Sequence, residues 1–556
     1  MESTLQASRQ GADEQVRRRR GGHLAGVGAV TVLVAGIYAV FSLTRYYTLQ
    51  SSSYDLVIFD QAVRSYAHFQ PGISIIKGLH NGFGPHFSVL GDHFSPLLAV
   101  LAPLYWLHDS PQTLLVAQAS LFALAIPPLW VFARRAFGGG SWATAAAYLV
   151  VGAYGLSWPL ASAVAFDFHE VAFAPVLTAV ALERLQAGAL RTALLALAAL
   201  LLVKEDMGIL VAGVGCYLVL SRPRTVRRQW LVGIALIIAG IAYTAVATYL
   251  LIPAFGGRAN YYWAYGGLGR NVPQAAWYLV THPAGAVRML LAPGVKLDTM
   301  AWLAGAFCFL PLLSPVSIAV IPLLLERMLN AKFPNWWVTD YQYNAYLVVV
   351  LGCAAVDGAA RLDRWVASAR QRLASRKGAR GRAGARGESA AGLAGQQRAR
   401  APGSWRAGAV AVVCGAAMCA VAVYSVPRFA LGAALHSSFY QRTARATAAA
   451  AVAAAVPDGV TVAATNDLGP LLSGRDTVLL WDGDGTTPPL GAPWVVANVR
   501  QRQFTFSAVT EQIRHVQLLE RNGYMVVFRR GGYLVLRRPG PANGAASTAA
   551  RRAPAR

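Results

Sequence analysis

The sequence has little charge for its length. Only 13% of its 556 residues are charged, whereas 55% are hydrophobic, and the mean hydropathy is +0.42. This balance excludes an ordinary soluble domain and is typical of a multi-pass membrane protein. We therefore predict a mainly α fold, a polytopic bundle of membrane helices.

Acidic residues are scarce: the chain has 25 Asp and Glu against 50 Lys and Arg, a net charge of +25. In a soluble protein this excess would suggest nucleic acid. Here most arginines flank apolar segments, where the positive-inside rule expects them, and the basic stretches lack interleaved aromatic residues that stack on bases. We predict membrane lipid and no nucleic acid as a partner.

Cysteine is also rare, and common nucleotide motifs are missing. The five cysteines all lie in apolar segments, so no disulfide framework is implied. Phosphate-cradling loops, dinucleotide fingerprints and nucleophilic triads are not found in the sequence, which disfavours a nucleotide-driven enzyme.

Long apolar runs are abundant. We predict about 11 membrane helices, near 24–44, 111–133, 141–159, 171–188, 190–203, 207–221, 230–253, 299–313, 315–329, 343–359 and 406–426. Several are short for a bilayer, and the fourth and fifth could form a pair that does not fully cross. The first is too long for a signal-peptide core and follows an arginine run, so the N-terminus is predicted to be cytoplasmic.

Charged clusters alternate in sign at the ends of these spans. The basic clusters are 17–20, 134–135, 184–191, 222–228 and 361–406, and the acid- and histidine-rich clusters are 54–60, 86–93, 166–170 and 204–206. If each span crosses once, every basic cluster is cytoplasmic and every acidic cluster is extracytoplasmic. The sequence thus predicts a multi-pass protein of the cell membrane with its acidic motifs on the outer face.

The predicted domains follow from composition. They are a disordered cytoplasmic N-terminus (1–23), a transmembrane domain (24–359) with a large first extracytoplasmic loop (45–110), a disordered Arg/Ala/Gly-rich cytoplasmic loop (360–405), a last membrane helix (406–426), a small extracytoplasmic α/β domain (440–540) and a disordered tail (541–556). In the α/β domain we predict strands at 460–464, 477–481 and 494–499, a helix at 506–522, and a hairpin at 524–538 that turns at Gly531 and Gly532.

Two acidic residues of the first loop could carry chemistry. Asp55 or Asp60 could take a proton from an acceptor hydroxyl while the other orients it or binds a metal. Five residues apart, they would lie about 140° apart on a regular helix, so sharing a face requires an irregular backbone. The alternative is that they cap or solubilise an interfacial helix.

The other acidic motifs also have two interpretations each. Asp167, His169 and Glu170 could bind a divalent cation or form a second acid/base pair, or they could cap the next helix. Lys204, beside Glu205 and Asp206, could hold a phosphate with help from Arg258 or Arg270, or belong to a turn whose charges reach water.

Histidines in the same regions are candidate zinc ligands. His86, Asp92 and His93 could bind it together with His169, but no pair has the spacing of ligands on one helix. Asp482-Gly483-Asp484-Gly485 resembles the start of a calcium loop without its later ligands, which favours a surface turn. A divalent cation is the one cofactor that these motifs suggest, and its identity does not follow from the sequence.

Four motifs occur in a characteristic order. They are Tyr54-Asp55-Leu56-Val57-Ile58-Phe59-Asp60-Gln61, Gly91-Asp92-His93-Phe94-Ser95-Pro96, Phe166-Asp167-Phe168-His169-Glu170 and Val203-Lys204-Glu205-Asp206. Over about residues 25–350, and weakly beyond, the chain resembles a bacterial membrane-protein family, the domain of unknown function 2079. That family is similar to the GT-C superfamily of glycosyltransferases, which take sugars from lipid-phosphate donors at the outer membrane face.

The resemblance implies a general base in the first extracytoplasmic loop, where Asp55 and its partner Asp60 match. Leu56 follows Asp55, so the paired Asp-Glu of protein mannosyltransferases is missing. Asn335-Trp336-Trp337-Val338 does not supply the Trp-Trp-Asp motif of oligosaccharyltransferases. Acceptor class and metal use therefore do not carry over.

Our sequence-based hypothesis is a GT-C-like glycosyltransferase of the cell envelope. It would move a sugar from a polyprenyl-phosphate donor to an extracytoplasmic glycan or lipid acceptor, with Asp55 and Asp60 as catalytic residues. The predicted substrate-binding residues are Asp92, His93, Asp167, His169, Glu170, Lys204, Glu205, Asp206 and Arg258. The alternative is a non-catalytic membrane protein, either a lipid or solute transporter or a binding scaffold.

Overall fold

A computed structural model describes residues 2–221, 227–259, 261–384, 408–483 and 488–539. The chain forms two compact units. Unit 1 comprises Met1–Ser42, Leu90–Leu98 and Leu115–His436, and unit 2 comprises Leu43–Val89, Ala99–Leu114 and Ser437–Arg556. The predicted tail at 541–556 and the end of the predicted loop at 360–405 lie outside the described residues.

Unit 1 is helical. Its α-helices, two of which begin or end in unit 2, are Glu2–Tyr47, Pro111–Ala123, Ile126–Ala136, Gly140–Gly155, Trp158–Ala165, Phe173–Gln186, Leu190–Leu201, Met207–Ser221, Arg227–Val246, Ile252–Ala254, Val272–Thr281, Pro283–Leu291, Val295–Gly305, Ile321–Leu329, Ala345–Gly384 and Ala409–Ser425. Among the described residues, six helical segments are long and apolar enough to cross a membrane: Gly21–Tyr47, Pro111–Ala136, Gly140–Ala165, Arg227–Ala254, Gln342–Leu373 and Ala409–Arg428.

These six segments coincide with six of the predicted spans, and the mainly α fold is confirmed. Other predicted spans correspond to shorter helices such as Leu190–Leu201 and Met207–Ser221. Around Pro311 and Pro315 the backbone forms 3₁₀ turns, because proline removes a hydrogen-bond donor and clashes with the preceding helical turn. Whether these shorter segments cross the membrane stays a prediction.

Two helices extend into segments for which we predicted disorder. Glu2–Tyr47 includes most of 1–23, and Ala345–Gly384 continues into 360–405. Arginine is the commonest residue in both extensions, accompanied by Gln and Glu in the first and by Ala in the second, and these residues have high intrinsic helix propensity. The described backbone there is therefore helical although it has few large apolar residues to bury.

Glycine brings two helices of unit 1 close together. A Cβ atom on Gly208 would lie 2.4 Å from the carbonyl oxygen of Gly240, and one on Gly215 would lie 2.5 Å from that of Gly233. Helices Met207–Ser221 and Arg227–Val246 can therefore pack backbone against backbone, as small residues allow in membrane bundles. This packing fixes the turn that carries Lys204, Glu205 and Asp206.

Unit 2 contains a five-stranded sheet, so the predicted C-terminal sheet is confirmed. The strands are β1 (Thr461–Ala464), β2 (Thr477–Leu480), β3 (Trp494–Asn498), β4 (Met525–Arg530) and β5 (Tyr533–Arg537), in the order β2-β1-β3-β5-β4. β1 is parallel to β2 and β3, whereas β5 is antiparallel to β3 and β4. Gly531 and Gly532 have φ of 60° and 91°, as the tight turn of the β4–β5 hairpin requires.

Helices complete unit 2. They are Ile58–Ala67, Ile75–His80, Ala102–Tyr105, Ala444–Ala454, Gly469–Leu472 and Val509–Arg521. Val509–Arg521 buries Leu519 in a core with Trp481 and Phe506.

The first loop is anchored on this sheet. The Ser53 and Tyr54 amides donate to the backbone and side-chain oxygens of Asn466, at 2.7 and 2.9 Å. The Gln61 amide donates to the Val478 carbonyl at 2.8 Å. Asn466 follows β1 and Val478 lies in β2, so residues 43–89 belong with the C-terminal domain in one unit.

Candidate functional site

Unit 1 gathers ionisable side chains from separate segments into one group, which we call the polar cluster. Its members are Asp92, His93, Glu170, Lys204, Glu205, Asp206 and Tyr262. Lys204, Glu205 and Asp206 lie in the turn between helices Leu190–Leu201 and Met207–Ser221, and Glu170 starts the turn before Phe173–Gln186. The cluster therefore lies at the ends of apolar helices.

An imidazole–carboxylate pair is the first element of the cluster. His93 Nδ1 lies 2.8 Å from Glu205 Oε1, and the Phe94 amide donates to Glu205 Oε2 at 3.1 Å. The Thr244 hydroxyl donates to the Glu205 carbonyl at 2.9 Å, which fixes the turn. Glu205 thus holds one ring nitrogen of His93 and leaves Nε2 for proton transfer, the arrangement of an oriented general base.

The charges around His93 determine its protonation. Burial and the Lys204 ammonium disfavour the imidazolium, but the Glu205 and Asp92 carboxylates outweigh them and raise the pKa of His93. Burial likewise opposes the charge on Glu205, but His93 and then Lys204 outweigh it and lower the pKa of Glu205. The pair is therefore ionic between the lowered pKa of Glu205 and the raised pKa of His93.

Lys204 is a buried cation between two carboxylates. Its Nζ lies 3.6 Å from Glu170 Oε1 and 3.7 Å from Asp206 Oδ2. Burial opposes its charge, but Asp206, Glu170 and Glu205 outweigh that effect and raise its pKa well above the ordinary value. Both separations exceed hydrogen-bond distance. The two carboxylates therefore neutralise the charge of the ammonium group, but no hydrogen bond to them fixes its position.

The two carboxylates beside Lys204 are incompletely satisfied. Glu170 Oε2 and Asp206 Oδ1 are buried without a hydrogen-bond partner among the described residues. Burial, the largest influence, raises the pKa of Asp206 to about 6. Buried acceptors without partners are costly and concentrate at functional sites.

The segment that contains Gly257 and Tyr262 also contacts the polar cluster. The Tyr262 hydroxyl donates to Asp92 Oδ1 at 2.6 Å, and the rings of Tyr262 and His93 stack with centroids 4.8 Å apart. A Cβ atom on Gly257 would lie 1.8 Å from the Gly91 carbonyl oxygen. Only glycine permits this approach, which also places the exposed Arg258 beside the segment that carries Asp92 and His93.

The Gln118 side chain holds the backbone of Asp167 and His169. Gln118 Nε2 donates to the Asp167 carbonyl at 2.6 Å, and the His169 amide donates to Gln118 Oε1 at 3.0 Å. His169, at the start of the turn Glu170–Ala172, makes no side-chain capping bond. Gln118 was missed in the sequence, although a glutamine inside an apolar span was a usable signal.

Asp55 and Asp60 belong to unit 2. Asp55 lies in the π-helical turn Ser53–Val57 and accepts from the Ser52 hydroxyl at 3.2 Å. Asp60 is fully buried. Its carboxylate accepts two bonds from Arg64, at 2.8 and 3.1 Å, one from Tyr105 at 2.8 Å, and one from Ser473. These are the contacts of a structural anchor.

The structure thus brings together six predicted site residues in unit 1, namely Asp92, His93, Glu170, Lys204, Glu205 and Asp206. Tyr262 and Gln118 are additions that the sequence analysis missed. Among the described residues, no group of three or more His, Cys, Asp or Glu side chains is arranged to hold a metal ion. The cluster consists of ionisable side chains.

These features define a membrane protein with several apolar helices, a polar cluster at helix ends and a small C-terminal sheet domain. Over residues 45–535 the chain matches the family described as "Predicted membrane protein (DUF2079)", and it belongs to that family. The predicted membership of the domain of unknown function 2079 family is confirmed. No curated protein matches the chain.

Proposed function

We propose that the protein is a membrane glycosyltransferase that moves a sugar from a polyprenyl-phosphate donor to an extracytoplasmic glycan or lipid acceptor. The observation that carries the proposal is the His93–Glu205 pair beside charged Lys204 in the polar cluster. Such a transfer needs a group that accepts the hydroxyl proton and a cation that stabilises the leaving phosphate. The cluster supplies both types of group.

The proposed step is a displacement at the anomeric carbon of the donor sugar. The acceptor oxygen forms a bond to the anomeric carbon, and the bond from that carbon to the donor phosphate breaks. The electron pair leaves with the lipid phosphate, whose charge Lys204 and Arg258 would stabilise. The hydroxyl proton passes to His93 Nε2, and Glu205 orients the ring through Nδ1.

The proposed topology follows the charge alternation. All eleven predicted segments would cross, the N-terminus would be cytoplasmic, and the polar cluster and the C-terminal domain would be extracytoplasmic. The positive-inside rule supports it, because basic residues cluster at the helix ends remote from Lys204, Glu205 and Asp206.

Two residues compete for the role of base: His93 by geometry and Asp55 by resemblance. The test is transfer from a radiolabelled polyprenyl-phosphate sugar by full-length protein in nanodiscs, comparing the parent with His93→Asn and Asp55→Asn. If His93 is the base, His93→Asn loses about 100-fold in turnover and Asp55→Asn keeps most of it. The reverse result assigns Asp55, and a parent that neither binds nor turns over any such donor refutes sugar transfer.

The pH profile gives a sharper readout for His93. A base must be unprotonated, so parent turnover should rise as pH increases through the raised pKa of His93. Glu205→Gln removes a carboxylate that raises this pKa, and the acidic limb should therefore shift to lower pH. An unshifted limb would contradict the pairing of the two residues in catalysis.

Proton-coupled transport is the second candidate. It is favoured by the unpartnered oxygens of Glu170 and Asp206 beside Lys204, since exchangeable carboxylates can carry protons. Proteoliposomes test it: substrate-driven acidification that Asp206→Asn abolishes, with no sugar transfer in the parent, would favour transport.

A further inference from the structure

Unit 1 has a large cavity at the other end of the helices that carry the polar cluster. Its volume is about 780 Å³. Leu190 and Ser221 line it, whereas Lys204, Glu205 and Asp206 join the opposite ends of their two helices. At 1.5 Å per residue, the two sites are roughly 20 Å apart along the helix axes, so the cavity is a separate site.

The charged side chains that line this cavity are mainly cationic. Arg191, Arg228 and Arg361 contribute three positive charges, and Asp357 contributes one negative charge. Asp357 Oδ2 already accepts from Arg361 Nε and from the Ser314 hydroxyl, both at 2.7 Å. Within the described part of the chain, no ion pair involves Arg191 or Arg228. The lining therefore has an excess of two positive charges, three minus one.

The remaining walls are largely apolar. Phe132, Leu182, Leu185, Leu218, Val232 and Val316 line the cavity. A volume of this size matches a pocket for a small organic ligand or headgroup. An arginine guanidinium can donate two parallel hydrogen bonds to two oxygens of one phosphate. Guanidinium groups beside aliphatic walls therefore favour a ligand with a phosphate at one end and hydrocarbon at the other.

We propose that this cavity binds the phosphate headgroup of a membrane lipid, with Arg191 and Arg228 as its principal contacts. In the topology proposed above, this end of the helices faces the cytoplasm. On that side of the membrane, basic pockets between helices bind the headgroups of anionic lipids. The site does not depend on sugar transfer at the polar cluster. A free phosphate ion offers the same chemistry without hydrocarbon, and the experiment separates the two sources.

The test uses the full chain in a phosphate-free maltoside detergent. Thermal unfolding is followed while phosphatidylglycerol, the matched diacylglycerol or inorganic phosphate is added. Phosphatidylglycerol should raise the Tm of the parent, and diacylglycerol should not. The double variant Arg191→Gln/Arg228→Gln should bind phosphatidylglycerol at least about tenfold more weakly.

Arg364→Gln is the matched control, because Arg364 is exposed on the same helix as Arg361 and does not line the cavity. It should bind phosphatidylglycerol as the parent does. Arg191 and Arg228 are also exposed, so their substitution leaves the core intact. Equal binding by the double variant and the parent, or equal effects of diacylglycerol and phosphatidylglycerol, overturns the proposal. A shift by inorganic phosphate that matches the lipid overturns the assignment to a lipid.

Discussion

The buried ionisable side chains fall into two groups according to their partners. Arg327 donates to the Trp336 and Tyr343 carbonyls and to Asn344, and Lys296 donates to three carbonyls. Cations that donate several hydrogen bonds to backbone carbonyls hold loops in place. Lys204 lies beyond hydrogen-bond distance of its two carboxylates. We therefore propose a functional role for this group rather than for Asp60, whose carboxylate accepts four hydrogen bonds.

Asp60→Asn tests this division between structural and functional residues. The variant removes the ionic partner of Arg64 from a buried site, so unit 2 should lose about 3 kcal/mol of unfolding free energy. The measurements are the Tm of the purified protein and hydrogen exchange over residues 53–67.

Asp109→Asn is the control for Asp60→Asn. It removes the second carboxylate that pairs with Arg64. The Asp109 side chain is 42% exposed, so the substitution should cost less than about 1 kcal/mol. If Asp60→Asn were as stable as Asp109→Asn and yet lost sugar transfer, Asp60 would be a functional residue.

Short contacts between backbone segments position the cluster. The Leu97 amide donates to the Leu202 carbonyl at 3.1 Å, which ties the segment of Asp92 and His93 to the helix that ends before Lys204. Gly257 contacts the same segment at Gly91. The cluster thus depends on loops that are held by backbone contacts rather than on one continuous element.

Gly257→Ala should separate these loops. The added methyl group would overlap the Gly91 carbonyl, and relief of such an overlap costs about 1–3 kcal/mol. We expect a lower Tm and faster hydrogen exchange over residues 91–94 and 261–263.

Gly266→Ala is the matched control, because no atom lies within 4 Å of a Cβ at Gly266. It should leave both quantities near the parent values. Indistinguishable behaviour of the two variants would mean that Gly257 does not set the approach of the loops.

The molecule combines a helical unit of membrane character with a unit that contains the sheet. The first loop and the C-terminal domain, which are distant in sequence, are parts of unit 2. Helix Val272–Thr281 of unit 1 buries none of its residues, and Trp277 is 70% exposed, as expected for a helix at a membrane surface.

The proposed topology can be tested by labelling single cysteines introduced into a cysteine-free parent. Arg258→Cys and Phe504→Cys lie at exposed positions and should react with an impermeant maleimide in intact cells. Arg364→Cys should react only after the cells are permeabilised. Labelling of position 364 from outside would reverse or refute the topology.

The sequence by itself determined the membrane character, the positions of the six long helices and the strands of the C-terminal sheet. These properties depend on local hydropathy and periodicity, which a single segment carries within itself. It also determined which motifs are rich in ionisable residues, because charge in an apolar chain is conspicuous.

Only the tertiary structure decided which of those residues share partners. Asp60 and Ser473 are 413 residues apart in the chain, and His93 and Glu205 are 112 apart. Asp55 and Asp60 were predicted as a pair, yet Asp60 is engaged by Arg64, Tyr105 and Ser473. Hydrogen bonds form between groups that packing brings together, and no local pattern encodes partners supplied by distant segments.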